Sequence, residues 1–174
     1  MSKKIQPVRD TPQSIETIIH SFEHYALGDI QHTKPKSIAT FILSICFIEQ
    51  LSGFLYEFHA NDNNKPERFF TDYMPEYKGI NLYHKARHTL VHNYSSRGQF
   101  DIDNRGEFTG VPYVEINGVI HINTNVFIYY LVLAFDKAKK ALIDSKEMEG
   151  DYTPYKNALN NSMYYPVLVD THQK

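Results

Sequence analysis

Tryptophan is missing from this chain, and cysteine occurs once, at Cys46. No disulfide can therefore form within it, and a reducing, cytoplasmic setting is expected. A surplus of one charge is lacking too. The formal net charge is −2 with the nine histidines counted neutral, which excludes a strongly basic nucleic-acid coat and confines any contact with RNA to a local patch. No apolar core follows Met1-Ser2-Lys3-Lys4, so no signal peptide is expected. The uncharged apolar stretch from Ile38 to Ile48 falls short of the roughly 20 residues that span a bilayer. There is no Gly-rich phosphate loop, paired-cysteine site, nucleophile-elbow serine, internal repeat or low-complexity segment.

What is present is ordinary in amount and distinctive in arrangement. A chain of 174 residues predicts one domain, and 42% hydrophobic content gives it a core that needs no staples. Residues 1–10 read as a flexible lead-in. Thr11-Pro12 supplies a capping hydroxyl and a first-turn proline, opening a helix with Ile15, Ile18, Ile19, Phe22 and Tyr25 at helical spacing and Gly28 at its end. His20 and His24, four apart on it, read as a surface or half-buried pair.

A second helix starts at Lys34-Pro35-Lys36-Ser37 and runs to about His59. Its only charge between Ser37 and Tyr56 is Glu49, which fits a central bundle helix buried on most sides better than a membrane helix broken at Glu49. A short third helix is expected near Pro66 to Met74, and a fourth from about Asn81 to Tyr94. Alternation then replaces helical period at Phe100 to Asp103 and Val111 to Ile116. Asn117-Gly118 is a two-residue hairpin signal leading to a return strand at Val119 to Ile122. Asn123-Thr124-Asn125 caps a last long helix, with Phe127, Tyr130, Leu131, Ala134, Phe135, Ala138 and Leu142 as its core stripe. The expected fold is mainly α: an up-and-down bundle of about five helices over residues 11–148, with a small antiparallel β insertion at about 99–123. Residues 149–174 read as a C-terminal tail.

The chemistry concentrates in Arg87-His88-Thr89-Leu90-Val91-His92-Asn93-Tyr94. Arginine is a permanent, forked cation that matches phosphate, and histidine titrates near neutrality. On a helix, His92 stands about 140° round and roughly 7.5 Å along from Arg87, so the two flank a face whose middle holds His84, His88 and Val91. A phosphate over that face could meet a guanidinium on one side and an imidazole on the other. RNA carries its own nucleophile, the 2′-hydroxyl. Cleavage then needs a base, an acid for the leaving 5′-oxygen, and positive charge on the phosphorane. His92 fits the proton-transfer role and Arg87 the charge role. One histidine cannot make both transfers at once, and a two-fold dimer would bring a second pair into the same cleft.

This pattern resembles the HEPN (higher eukaryotes and prokaryotes nucleotide-binding) domains. Their motif is an Arg, four to six residues, then a His, often with a polar residue directly after the Arg; here these are Arg87, His88 and His92. In one branch, toxins paired with minimal nucleotidyltransferase antitoxins, a Tyr follows at the second position after the His, as Tyr94 does. The resemblance implies an up-and-down helical bundle and a metal-independent endoribonuclease acting on RNA at a homodimer cleft. It implies Arg87 and His92 as catalytic, and Tyr94 as the site where a nucleotidyltransferase antitoxin would add AMP. No cofactor and no membrane are implied. Some members bind rather than cut, so a non-catalytic module for nucleotide, RNA or protein is the alternative.

Glu49 bears on the same site. A carboxylate in an apolar helix needs a partner, and its neighbours four away, Ile45 and Gly53, offer none. Glu49 is therefore expected to face the fourth helix and pair with Arg87 or His88, with an exposed stripe beside Ser52 and Tyr56 as the alternative. His84, His88 and Glu49 are the expected supporting residues. His84, His88 and His92 also repeat at the spacing of a metal-binding helix stripe, but no cysteine is near and the carboxylates Asp101 and Asp103 sit on another element, so no metal is expected. Tyr94 could equally be a core residue, Asn93 a helix cap, and Cys46 core filler.

Overall fold

The structure is a computed structural model that describes residues 13–33, 38–57, 64–87, 98, 100–102 and 110–164. The expected Thr11-Pro12 start, the 1–10 lead-in and the stretch from His88 to Arg97 lie outside these residues. The architecture is mainly helical, with one small sheet placed before the longest helix.

The first rod begins one turn later than Thr11-Pro12 suggests. Ser14 is the N-cap of α1 (Ile15–Ser21), and its hydroxyl accepts from the Thr17 N–H at 3.1 Å. Gly28 does not stop the helix. The chain passes through a π turn, Phe22–Leu27, into α2 (Gly28–His32), and Gly28 keeps a right-handed helical backbone at φ −56°. The wide turn carries the buried side from Ile18 and Phe22 to Leu27 and Ile30, a five-residue step that a regular helix does not make.

Helix α3 (Ile38–Leu55) is the central element. Among the described residues it is the one helix long and apolar enough to cross a bilayer by length and composition, and 56% of it is buried inside the protein. It packs against α2, the π turn, α4 (Lys65–Tyr73), α5 (Leu82–Ala86), α6 (Thr124–Asp144) and α7 (Pro154–Tyr164). Phe41, Ile45, Ile48 and Leu51 are buried along it. The chain's aromatic residues, 14% of it and all phenylalanine or tyrosine, include two ring clusters about α3. Phe22, Phe47, Phe54 and Phe135 meet at one end, and Phe41, Phe70, Tyr77, Phe100 and Phe127 at the other, where Phe41 and Phe127 lie 4.9 Å apart. Edge-on and tilted arrangements dominate, as aromatic quadrupoles favour. Cys46, expected as core filler, is exposed instead, because it falls on the outward side of α3 with Leu43 and Gln50.

The sheet has strand order β1 (Phe100–Ile102), β3 (Val119–Ile122), β2 (Tyr113–Ile116). Strands β2 and β3 form the expected antiparallel hairpin, with Asn117 at φ 51° and Gly118 at φ 76° taking the two left-handed positions of its turn. Strand β1 adds to β3 in parallel, Phe100 opposite Ile120, so the sheet is mixed. Phe100, Ile120 and Ile122 point into the core.

Helix α6 starts where the sequence places it: the Asn123 side chain caps it by accepting from the Val126 N–H at 3.2 Å. Its stripe of Phe127, Leu131, Ala134, Phe135, Ala138 and Leu142 is buried, while Tyr130 is half-buried at the margin. The segment read as a tail contains a further helix, α7, which packs on α3 and α6. Polar anchoring explains why its sequence does not look like a core element. Asn157 Nδ2 donates to the Phe54 carbonyl at 2.9 Å and the Tyr56 carbonyl at 2.6 Å, closing the C-terminal end of α3. Asn161 Nδ2 reaches the Gly53 carbonyl, and the buried Lys65 ammonium reaches that of Tyr56. Ser162 accepts from the Gln13 N–H, tying α7 to the chain just ahead of α1.

Candidate functional site

Arg87 follows directly on α5 as its C-cap, in right-handed helical geometry. Helix α5 is held by Leu82, Tyr83 and Ala86, all buried. Its polar side carries His84 and Arg87 to the surface. The guanidinium reaches α3 and forms an ion pair with Glu49, Nη2 to Oε1 at 3.0 Å. The pairing expected between Glu49 and Arg87 is thus present. Both side chains stay substantially accessible, 48% for Arg87 and 39% for Glu49, so the guanidinium keeps N–H edges open to solvent.

Tyr83 completes the floor. The Arg87 guanidinium lies 5.8 Å from its ring centroid. Burial is the main reason the Tyr83 hydroxyl is pushed far above the ordinary phenol range; the Glu49 charge adds to this, and Arg87 opposes it. Tyr83 therefore stays a neutral hydroxyl. Cys46, one turn before Glu49 on α3, belongs to the same patch. Partial desolvation pushes its thiol up, Glu49 pushes it further, and Arg87 pulls it back. The net upward shift disfavours the Cys46 thiolate.

His84 is exposed and sets its ring edge-on to Tyr83, with centroids 5.6 Å apart. His88, His92 and Tyr94 lie outside the described residues, so the geometry joins Arg87, Glu49 and His84 on one face. Sequence reasoning missed Glu67 of α4. Its Oε1 accepts from the backbone N–H groups of Tyr83 at 3.0 Å and His84 at 3.4 Å, holding the start of α5. No fixed spacing signals such a contact, because the cap comes from another helix. Tyr83 was legible only as an apolar residue.

The patch can present one forked cation to an anion. Exposed ion pairs are weak, with a net worth of about 0–1 kcal/mol. A phosphate can therefore displace Glu49 from part of the guanidinium at little loss, and Glu49 holds the fork in place until then. Among the described residues, no three His, Cys, Asp or Glu side chains come together as a metal site. Compared with known protein families, with curated proteins and with solved structures, the chain returns no match.

Proposed function

We propose that this chain is a metal-independent endoribonuclease of HEPN type, the toxin half of a toxin–antitoxin or phage-defence system, acting in the cytoplasm as a homodimer. The observation that carries the reading is the Arg87–Glu49 ion pair: a half-exposed guanidinium held by a carboxylate from the central helix, at the start of the Arg87-to-Tyr94 motif.

The chemistry follows from the groups named. His92 takes the proton of the RNA 2′-hydroxyl, and the resulting oxygen attacks the adjacent phosphorus. Arg87 neutralises the phosphoryl oxygens as the phosphorane forms. The second subunit's copy of His92 protonates the leaving 5′-oxygen, giving a 2′,3′-cyclic phosphate and a free 5′-hydroxyl. Glu49, His84 and His88 orient the pair. Tyr94 is the proposed acceptor of AMP from a partner nucleotidyltransferase, which would block the cleft with bulk and negative charge.

The test incubates mixed RNA with purified protein in excess chelator, beside Arg87→Ala and His92→Ala. Cleavage by the wild type alone, leaving 2′,3′-cyclic ends, is the expected result. Equal silence of all three, with mass spectrometry finding Tyr94 unmodified, rejects the nuclease and leaves the non-catalytic binding module.

A further inference from the structure

We infer that Glu67 is a positioning residue for Arg87: a carboxylate on α4 that fixes where along its axis α5 sits, and so where the guanidinium is delivered. The inference rests on the nuclease reading for its consequence in catalysis, though not for its geometry.

Helix α5 begins without the usual local help. Asn81 precedes it in a left-handed conformation, φ 53°, and its side chain makes no capping bond. The second and third residues of the helix, Tyr83 and His84, still have N–H groups that no preceding turn can satisfy. Glu67 Oε1 takes both, at 3.0 and 3.4 Å. The acceptor is a carboxylate at the N-terminal end of the helix; the 3.0 Å bond to Tyr83 is the stronger of the two, and the 3.4 Å one to His84 is long. The contact spans 16 residues of chain and joins two helices.

Burial alone does not set this position. Leu82, Tyr83 and Ala86 hold α5 against the core, but apolar contact is non-directional and tolerates sliding and rotation. Two bonds to one oxygen do not. Arg87 is four residues beyond Tyr83, about 6 Å along the axis, so a shift at the start of α5 arrives undiminished at the guanidinium. There the exposed Glu49 pair at 3.0 Å marks where the guanidinium is delivered. Helix α5 is thus set by the carboxylate from α4, and that placement determines whether the pair with the carboxylate from α3 can close.

The test reads Arg87 directly. The side-chain Nε–H signal of Arg87 is assigned by nuclear magnetic resonance through its loss in Arg87→Lys, and Glu49→Gln supplies the position of the unpaired guanidinium. Glu67→Ala should move the Arg87 signal to that unpaired position, while Glu67→Gln, which keeps an acceptor oxygen, should leave it near wild type. In the RNA assay Glu67→Ala should lower kcat by about 10–100-fold with KM little changed, as misplaced groups do, and Glu67→Gln should restore most of the loss. An Arg87 signal unmoved in folded Glu67→Ala overturns the inference. If Glu67→Ala does not fold, Glu67→Met, which keeps the apolar stem, carries the same reading. Failure of both to fold would make Glu67 a stability residue and overturn it as well. Wild-type protein that cuts no RNA defeats the nuclease reading alone, because the Arg87 signal still decides the role of Glu67.

Discussion

Replacing Asn157 by alanine tests whether α7 is an integral clamp on the central helix. The Asn157 amide donates at 2.9 Å to the Phe54 carbonyl and at 2.6 Å to that of Tyr56, with a longer approach of 3.4 Å to Gly53. Only two hydrogens are available, so the two short bonds carry the effect. In Asn157→Ala the Tyr56 carbonyl keeps the Lys65 ammonium and the Gly53 carbonyl keeps Asn161. The Phe54 carbonyl, in a buried setting, has no other side-chain donor among the described residues. Two short bonds at about 1 kcal/mol each, one of them leaving a buried acceptor unmet, give an expected loss of about 2 kcal/mol, to which the longer 3.3 Å bond that Asn157 Oδ1 accepts from Asn161 adds little. Urea unfolding followed by circular dichroism should show a lower midpoint at unchanged slope.

Asn157→Asp sharpens the test. It sets a carboxylate against the same oxygens at the negative end of a helix, so at neutral pH it should be worse than alanine. That environment raises the Asp pKa in the folded state above its unfolded value of about 3.9. With the folded pKa raised, the penalty is absent below the unfolded value, where both states are protonated. It develops as pH climbs from the unfolded value to the folded one and is complete above the folded one. A loss under about 0.5 kcal/mol for alanine, or an Asp variant no worse than alanine at pH 7, refutes the reasoning.

Three further outcomes are expected. Alkylation of Cys46 by iodoacetamide should be slow at neutral pH; Glu49→Gln should speed it by removing a charge that raises the thiol pKa, and Arg87→Ala should slow it, as a pH–rate profile would read. Ser14→Ala should cost about 1 kcal/mol through loss of the α1 cap, measured by thermal or urea melts. Leu51→Ala, at a fully buried position on α3, should cost about 2–5 kcal/mol on the same measurement.

How much of this was legible beforehand depends on whether the signal was local. Asn117-Gly118 and Asn123 act through backbone groups within a few residues, and both the hairpin and the α6 cap stand where the sequence places them. Glu49 was legible for a different reason: one charge in an apolar helix demands a partner, and of the two candidates expected on the fourth helix, Arg87 or His88, the ion pair is formed with Arg87. Long-range arrangements left no such trace. Parallel addition of β1 to β3, the contact from Glu67 to α5 and the asparagine clamp from α7 depend on segments meeting that are far apart in the chain. Asn157, Asn161 and Ser162 lie in a stretch whose polarity resembles a loose tail, yet the two asparagines serve carbonyls that α3 leaves open at its end, and Ser162 accepts from the Gln13 N–H ahead of α1. Gly28 misled because glycine commonly ends helices, whereas here it continues one in an ordinary right-handed conformation.

The π turn at Phe22–Leu27 means that the first rod holds one residue more than its contact with the bundle requires. Had the rod been regular, Ala26 would sit where Leu27 now reaches inward, and everything after it would be turned by about 100°. Removing a residue from an internal helix normally scrambles its inward side. Here, excising His24 should let the rod close into a plain spiral with Leu27 and Ile30 still facing inward, so among the described residues this rod is one where a deletion is expected to keep the grip on the core.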